Sequence, residues 1–145
     1  MARILIIDEN SDLIAHLSQR VERRGHVVFS ASDGDAGLAS ARAASPDIVL
    51  VGTRLAGLDG LTIAHAIKTD PNIRKSRIIA LLASGSDDDR KHALSSGCDD
   101  THVKPIDFVK LMQQIDALIE PAPPAASPEE EASGEVQGEG EAVPA

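Results

Sequence analysis

The sequence predicts an α/β domain: a parallel sheet with helices packed on both of its faces. Short, continuous, mostly β-branched apolar runs begin near residues 3, 27, 47, 77 and 101. Between them, apolar residues recur at helical spacing instead of alternating. Glycine and proline punctuate the joins. Runs that are apolar at every position, and not at every second one, belong to strands buried on both sides. Alternating such strands with helices builds parallel βαβ units.

Each element has its own warrant. Ile4, Leu5, Ile6 and Ile7 form the first strand. Over residues 11–24 the period changes: Leu13, Ile14, Leu17 and Val21 share one stripe, opposite Gln19 and the Arg23–Arg24 pair, and Gly25 stops the helix. Val27, Val28 and Phe29 are the second strand. Residues 35–44 are alanine-rich and helical, ended by Ser45–Pro46. Ile48, Val49, Leu50 and Val51 form the third strand. A third helix runs from about Leu61 to Thr69 with Leu61, Ile63, Ala64 and Ile67 inward, before Pro71. Ile78 to Leu82 is the fourth strand. Ser86, Asp87, Asp88 and Asp89 open the fourth helix, with acids where a helix N-terminus favours negative charge, and Gly97 closes it. Residues 101–103 make a short fifth strand. Asp107 caps a last helix that reaches about Glu120 and carries Phe108, Leu111, Ile115, Leu118 and Ile119.

Composition narrows the function. Of 145 residues, 42% are hydrophobic and 26% charged, as in a folded protein. Two Phe are the only aromatic residues, which leaves no stacking platform for single-stranded nucleic acid. The net charge of −9 disfavours binding to a phosphate backbone, so nucleic acid is not an expected partner. One cysteine, Cys98, builds neither a disulfide framework nor a cysteine-rich zinc site. The five histidines, at 16, 26, 65, 92 and 102, show no metal-ligand spacing. His16, His65 and His92 fall on helix surfaces. His102 lies on the fifth strand, either as a packed, hydrogen-bonded residue or as a reporter of pH. No apolar run approaches the roughly 18–20 residues of a membrane span. The start of the chain is too short before its first acid for a signal peptide. The expected location is therefore the cytoplasm. Charge is concentrated at one end: residues 121–145 hold six Glu, no Lys or Arg, and five of the eight Pro. Such a segment buries too little apolar surface to offset the entropy of ordering it. The expected organisation is a folded domain over 1–120 and a disordered acidic tail over 121–145. The tail is either solubilising or a docking segment that competes for a basic surface.

In an open parallel sheet the functional crevice lies at the carboxyl ends of the strands. There the sequence places Asp8-Glu9-Asn10, Gly52-Thr53-Arg54, Ala83-Ser84 and Lys104-Pro105. The acidic pair Asp8-Glu9, the run Pro46 to Val51 leading to Leu58-Asp59-Gly60, and Ser96-Gly97-Cys98-Asp99-Asp100 leading to Lys104-Pro105 together resemble the receiver domain of two-component response regulators. The resemblance covers residues 3–120. It implies a flavodoxin-like (βα)5 three-layer sandwich with strand order 2-1-3-4-5. It also implies a signalling role. In the family, a histidine kinase passes a phosphoryl group to an aspartate after strand three. Mg²⁺ held by the strand-one acids assists, and a lysine after strand five pairs with the phosphoryl oxygens.

Carried over residue by residue, Asp8 and Glu9 match the acidic pair, Lys104 the lysine, and Pro105 the proline that follows a cis bond in the family. The phosphoacceptor position falls on Gly52, which has no side chain to phosphorylate. The hydroxyl that follows the phosphoryl group falls on Leu82, and the aromatic that changes rotamer with it falls on Thr101. Three losses together suggest a degenerate receiver that keeps the fold without the chemistry. No cofactor is expected, with at most weak residual Mg²⁺ binding at Asp8 and Glu9. Lys104 is expected as the counter-ion of one of these acids. Arg54 either points to solvent or turns into the pocket that Gly52 vacates. Thr53 and Ser84 keep hydroxyls nearby but lack an activating base. No nucleophile–base pair stands at the strand ends, so an enzyme is not expected.

The reading is a signalling protein that acts by phosphorylation-independent protein–protein interaction. Its expected partner is a histidine kinase, a phosphotransfer protein or a downstream effector, with a homodimer through helix four, strand five and helix five as a further contact. Two rivals stand beside it. One is an ordinary phospho-accepting receiver altered at position 52. The other is a flavodoxin-like ligand binder, although the loop Glu9-Asn10-Ser11-Asp12 and the shortage of aromatics suit a flavin poorly.

Overall fold

A computed structural model describes residues 1–55 and 57–119. The chain divides into two units, Met1–Ile115 and Asp116–Ala145. Of the second, only residues 116–119, the end of a helix, are described. The expected acidic tail at 121–145 lies outside the described residues.

The elements alternate throughout: β1 (Arg3–Ile7), α1 (Ser11–Arg23), β2 (Val27–Ala31), α2 (Gly34–Ala44), β3 (Ile48–Gly52), α3 (Gly60–Thr69), β4 (Arg77–Leu82), α4 (Asp87–Ser95), β5 (Asp100–Val103) and α5 (Phe108–Ile119). All strand pairs are parallel, in the order β2-β1-β3-β4-β5. This is the flavodoxin-like α/β arrangement. The order leaves β1 and β3 adjacent at the centre of the sheet, with Ile7 beside Val51.

Helix starts are fixed by short polar side chains that accept otherwise orphaned amides. Asn10 accepts from the Leu13 N–H, Asp33 from Ala36, Asp59 from Leu61 and Thr62, Ser86 from Asp89, and Asp107 from Lys110. Ser86 is thus the cap of α4, whose first helical residue is Asp87.

The core forms because the central strands are apolar on both faces. Leu5, Ile7, Val49, Val51, Ile78, Ala80 and Leu82 pack in one cluster with Ala41, Ile63, Ala64, Ile67 and Ala93 from α2, α3 and α4. The alternate residues Ile4, Ile6, Ile48, Leu50, Ile79 and Leu81 point to the opposite face and are equally buried, as are Leu17, Val21, Leu111 and Ile115 of α1 and α5. Strand β2 runs two residues beyond the predicted Phe29, to Ala31, because its backbone stays in register with Ile6 and Ile7. Met112 joins the buried set although the sequence stripe omits it.

Candidate functional site

Parallel strands bring their carboxyl ends to one edge, where Asp8, Gly52 at the end of β3 and Lys104 meet. Asp8 follows the last residue of β1 and is 1% exposed. Its Oδ2 accepts from Lys104 Nζ at 2.8 Å, and its Oδ1 accepts from the Asn10 N–H at 2.9 Å. A Cβ built on Gly52 would lie 2.5 Å from Asp8 Oδ2 and 3.1 Å from Asp8 Cγ. The Asp8 carboxylate therefore stands where a side chain at position 52 would begin. A Cβ on Gly60, at the start of α3, would meet the carbonyl oxygen of Gly52, a backbone atom that cannot step aside, so this corner requires glycine at 60.

Lys104 reaches the pocket from the end of β5. Its N–H donates to the Leu82 carbonyl at 2.8 Å, and the Lys104–Pro105 bond is cis. Burying a carboxylate removes its hydration, and the ammonium and the Asn10 amide replace part of it. Such a pair adds little net stability, but losing one partner strands a buried charge at a cost of about 3–5 kcal/mol.

The remaining site residues sort clearly. Glu9 is exposed, and the counter-ion role falls to Lys104 with Asp8. Of the two placements open to Arg54, the exposed one is found; the atoms nearest a Cβ at Gly52 belong to Asp8 and Ile7. Thr53 is half-buried and Ser84 exposed. Leu82 packs in the core cluster, 3% exposed. Thr101 is half-buried, and its carbonyl accepts from Gln114 Nε2 at 2.8 Å.

A hexacoordinate Mg²⁺ needs several oxygen ligands in near-octahedral array. Here Asp8 is paired with the Lys104 ammonium, Gly52 offers no side chain and Glu9 is exposed. Among the described residues no three His, Cys, Asp or Glu gather as a metal site.

Asp59 serves α3. Its carboxylate accepts from the N–H groups of Leu61 and Thr62 and from Thr62 Oγ1, all at 3.0 Å. The Thr62 amide, first among these contacts, holds its pKa below the ordinary value. The Cys98 thiol is pushed up to about 11, first by burial and then by the charge of Asp99, with Lys68 opposing.

His102 is 4% exposed and belongs to a polar network at the β5–α5 junction. Its Nε2 accepts from the Asp107 N–H at 3.1 Å, and its Nδ1 lies 2.7 Å from Gln114 Oε1. Nothing in the sequence singles out Gln114 from the adjacent Gln113, both beside the inward stripe of α5.

The comparisons with known proteins agree with this architecture. The family described as the response regulator receiver domain matches residues 4–116. Protein PilH of Pseudomonas aeruginosa is 30% identical over 119 residues, which are 82% of this chain and 98% of PilH. Response regulator PleD of Caulobacter vibrioides is 33% identical over 117 residues, 81% of this chain but 26% of PleD. The chain spans about half of the transcriptional regulatory protein PrrA of Mycobacterium tuberculosis, 49%. Among solved structures, the signal receiver domain of a DNA-binding response regulator from Colwellia psychrerythraea superposes with a TM-score of 0.77 at 26% identity, covering 82% of this chain and 98% of that one. The chemotaxis response regulator CheY4 of Vibrio cholerae shares the fold, with a TM-score of 0.77 at 21% identity and 81% and 98% coverage. A sheet of this order, with Asp8 and Lys104 joined at its carboxyl edge, is thus the frame of a two-component signalling module, and the chain belongs to the response regulator receiver family.

Proposed function

We propose that this receiver is a pseudo-receiver: it signals by binding partners through its shape and accepts no phosphoryl group. The observation that carries the reading is the Asp8 carboxylate set against Gly52 and tied to Lys104. The acceptor position has no side chain. The lysine that would pair with phosphoryl oxygens is paired with Asp8, Leu82 lacks the hydroxyl that would follow the modification, and Thr101 lacks the aromatic ring that would change rotamer with it. No cofactor is required, and the protein is not an enzyme. Its partners are a histidine kinase, a phosphotransfer protein or a downstream effector, met in the cytoplasm. The face of α4, β5 and α5, where Leu94 is 44% and Val103 37% exposed, also suits a homodimer. A membrane span and a nucleic-acid partner are not part of this reading; no helix among the described residues is long and apolar enough to cross a membrane.

The test is incubation of the full chain with acetyl phosphate and Mg²⁺, followed by intact mass. The expected spectrum is unchanged. A gain of one phosphoryl group on an aspartate refutes the reading and restores that of a phospho-accepting receiver altered at position 52.

A further inference from the structure

We propose that His102 is a proton-operated latch on the start of α5: the neutral imidazole holds the Asp107 N–H, and the protonated one trades that bond for the Asp107 carboxylate and uncaps the helix. This goes beyond the pseudo-receiver reading and does not depend on it, since no group at position 52 takes part.

The network fixes the neutral tautomer. Gln114 Nε2 donates to Asp100 Oδ2 and to the Thr101 carbonyl, each at 2.8 Å, so Gln114 Oε1 must face His102 as an acceptor. His102 Nδ1 therefore carries the hydrogen, and Nε2 presents its lone pair to the Asp107 N–H at 3.1 Å. Asp107 is also the cap of α5: its Oδ1 accepts from the Lys110 N–H at 3.1 Å and its carbonyl from the Leu111 N–H at 2.8 Å. One residue thus receives the latch on its amide and supplies the cap with its side chain.

A second proton has one place to go. It must sit on Nε2, where it meets the Asp107 N–H head-on, because both groups are then donors. Nδ1 is unaffected and keeps Gln114. Relief comes from turning Asp107: moving its N–H away from Nε2–H and offering the carboxylate in its place shifts Oδ1 off the Lys110 N–H. A buried imidazolium also needs a compensating charge. The charged groups around it are the anions Asp100 and Asp107 and the cations Arg90 of α4 and Lys110 of α5. All four line, with His102, a cavity of about 630 Å³ that gives water a route to the ring. From β4 the register neighbour is the apolar Leu81. Because the device lies on the α4–β5–α5 face, it would couple local acidity to the shape of that face.

The test is an NMR titration of the full chain from about pH 8 to about pH 5, the range in which imidazoles change charge. It follows the His102 ring and the amides of Asp107, Lys110 and Leu111. The expected result is the Nδ1–H tautomer at the alkaline end, a shared midpoint for ring and amides, and an approximately fivefold loss of hydrogen-exchange protection at Lys110 in acid, the size of a lost cap. In His102→Gln, which does not titrate, that loss should vanish. Three results overturn the proposal: His102 staying neutral to the end of the titration, the ring titrating while Lys110 keeps its protection, or the same loss in His102→Gln, which would assign it to the carboxylates.

Discussion

Gly52→Ala adds one methyl group at the centre of the site. In the interior of a strand this exchange is ordinarily favourable by about 0.5–1 kcal/mol, because alanine has less backbone freedom to lose. Here the new Cβ would sit 2.5 Å from Asp8 Oδ2, far inside contact distance. The far end of a side chain usually gives way cheaply, but this one is pinned at 2.8 Å by Lys104 Nζ and at 2.9 Å by the Asn10 N–H. Moving it sacrifices at least one hydrogen bond to a charged group, about 1.5–3 kcal/mol. The net expectation for Gly52→Ala is a loss of about 1–2 kcal/mol. In an Asp8→Ala background the obstacle is gone, and the same substitution should be neutral or stabilising. Urea denaturation of the two single variants, the double variant and the parent closes the cycle, with an expected coupling of about 2 kcal/mol. If the Gly52→Ala cost is the same in both backgrounds, the Asp8 carboxylate does not occupy the place of a side chain at 52, and the reasoning about this site fails.

Further expectations follow from the same contacts. Lys104→Met should lower stability by about 3 kcal/mol in thermal or chemical unfolding, because Asp8 would remain buried without its cation. Asp59→Ala should cost about 1 kcal/mol by uncapping α3. The pH dependence of that cost has a definite sign. The folded pKa of Asp59 lies below the ordinary value of 3.8, so its contribution is complete above that value and disappears as pH falls through the lower, folded value. The stability difference between parent and variant should therefore shrink in acid. Cys98, 5% exposed and with its thiol pushed up to about 11, should resist iodoacetamide near neutral pH in the native protein and react once it is unfolded. Rapid native labelling would contradict its burial.

Most of the fold is legible in the sequence because its signals are local. Apolar runs such as Ile48–Val51 cannot be read as amphipathic, and glycines such as Gly25 and Gly97, both at positive φ, mark stops that other residues make poorly. The ends of β2 and β5 escape because Ser30 and Asp100 pair only through backbone; their side chains say nothing about a strand. At the site, the residue types could be found by spacing, and so could the pairing of Lys104 with an acid. The choice of Asp8 over Glu9, and of the Asp8 carboxylate over Arg54 beside Gly52, depends on strand register and on which side chain is already anchored. That information resides in tertiary packing. Gln114 is hidden for the same reason: its value comes from three groups on β5 that meet it across the β5–α5 junction.

The ion pair between Asp8 and Lys104 joins positions 96 residues apart. During synthesis the first strand leaves the ribosome long before the lysine does, and an N-terminal fragment that settled early would enclose a naked anion. The central strands are thereby discouraged from locking until the last one arrives, so synthesis of β5 and commitment of the sheet to the native state become nearly one event.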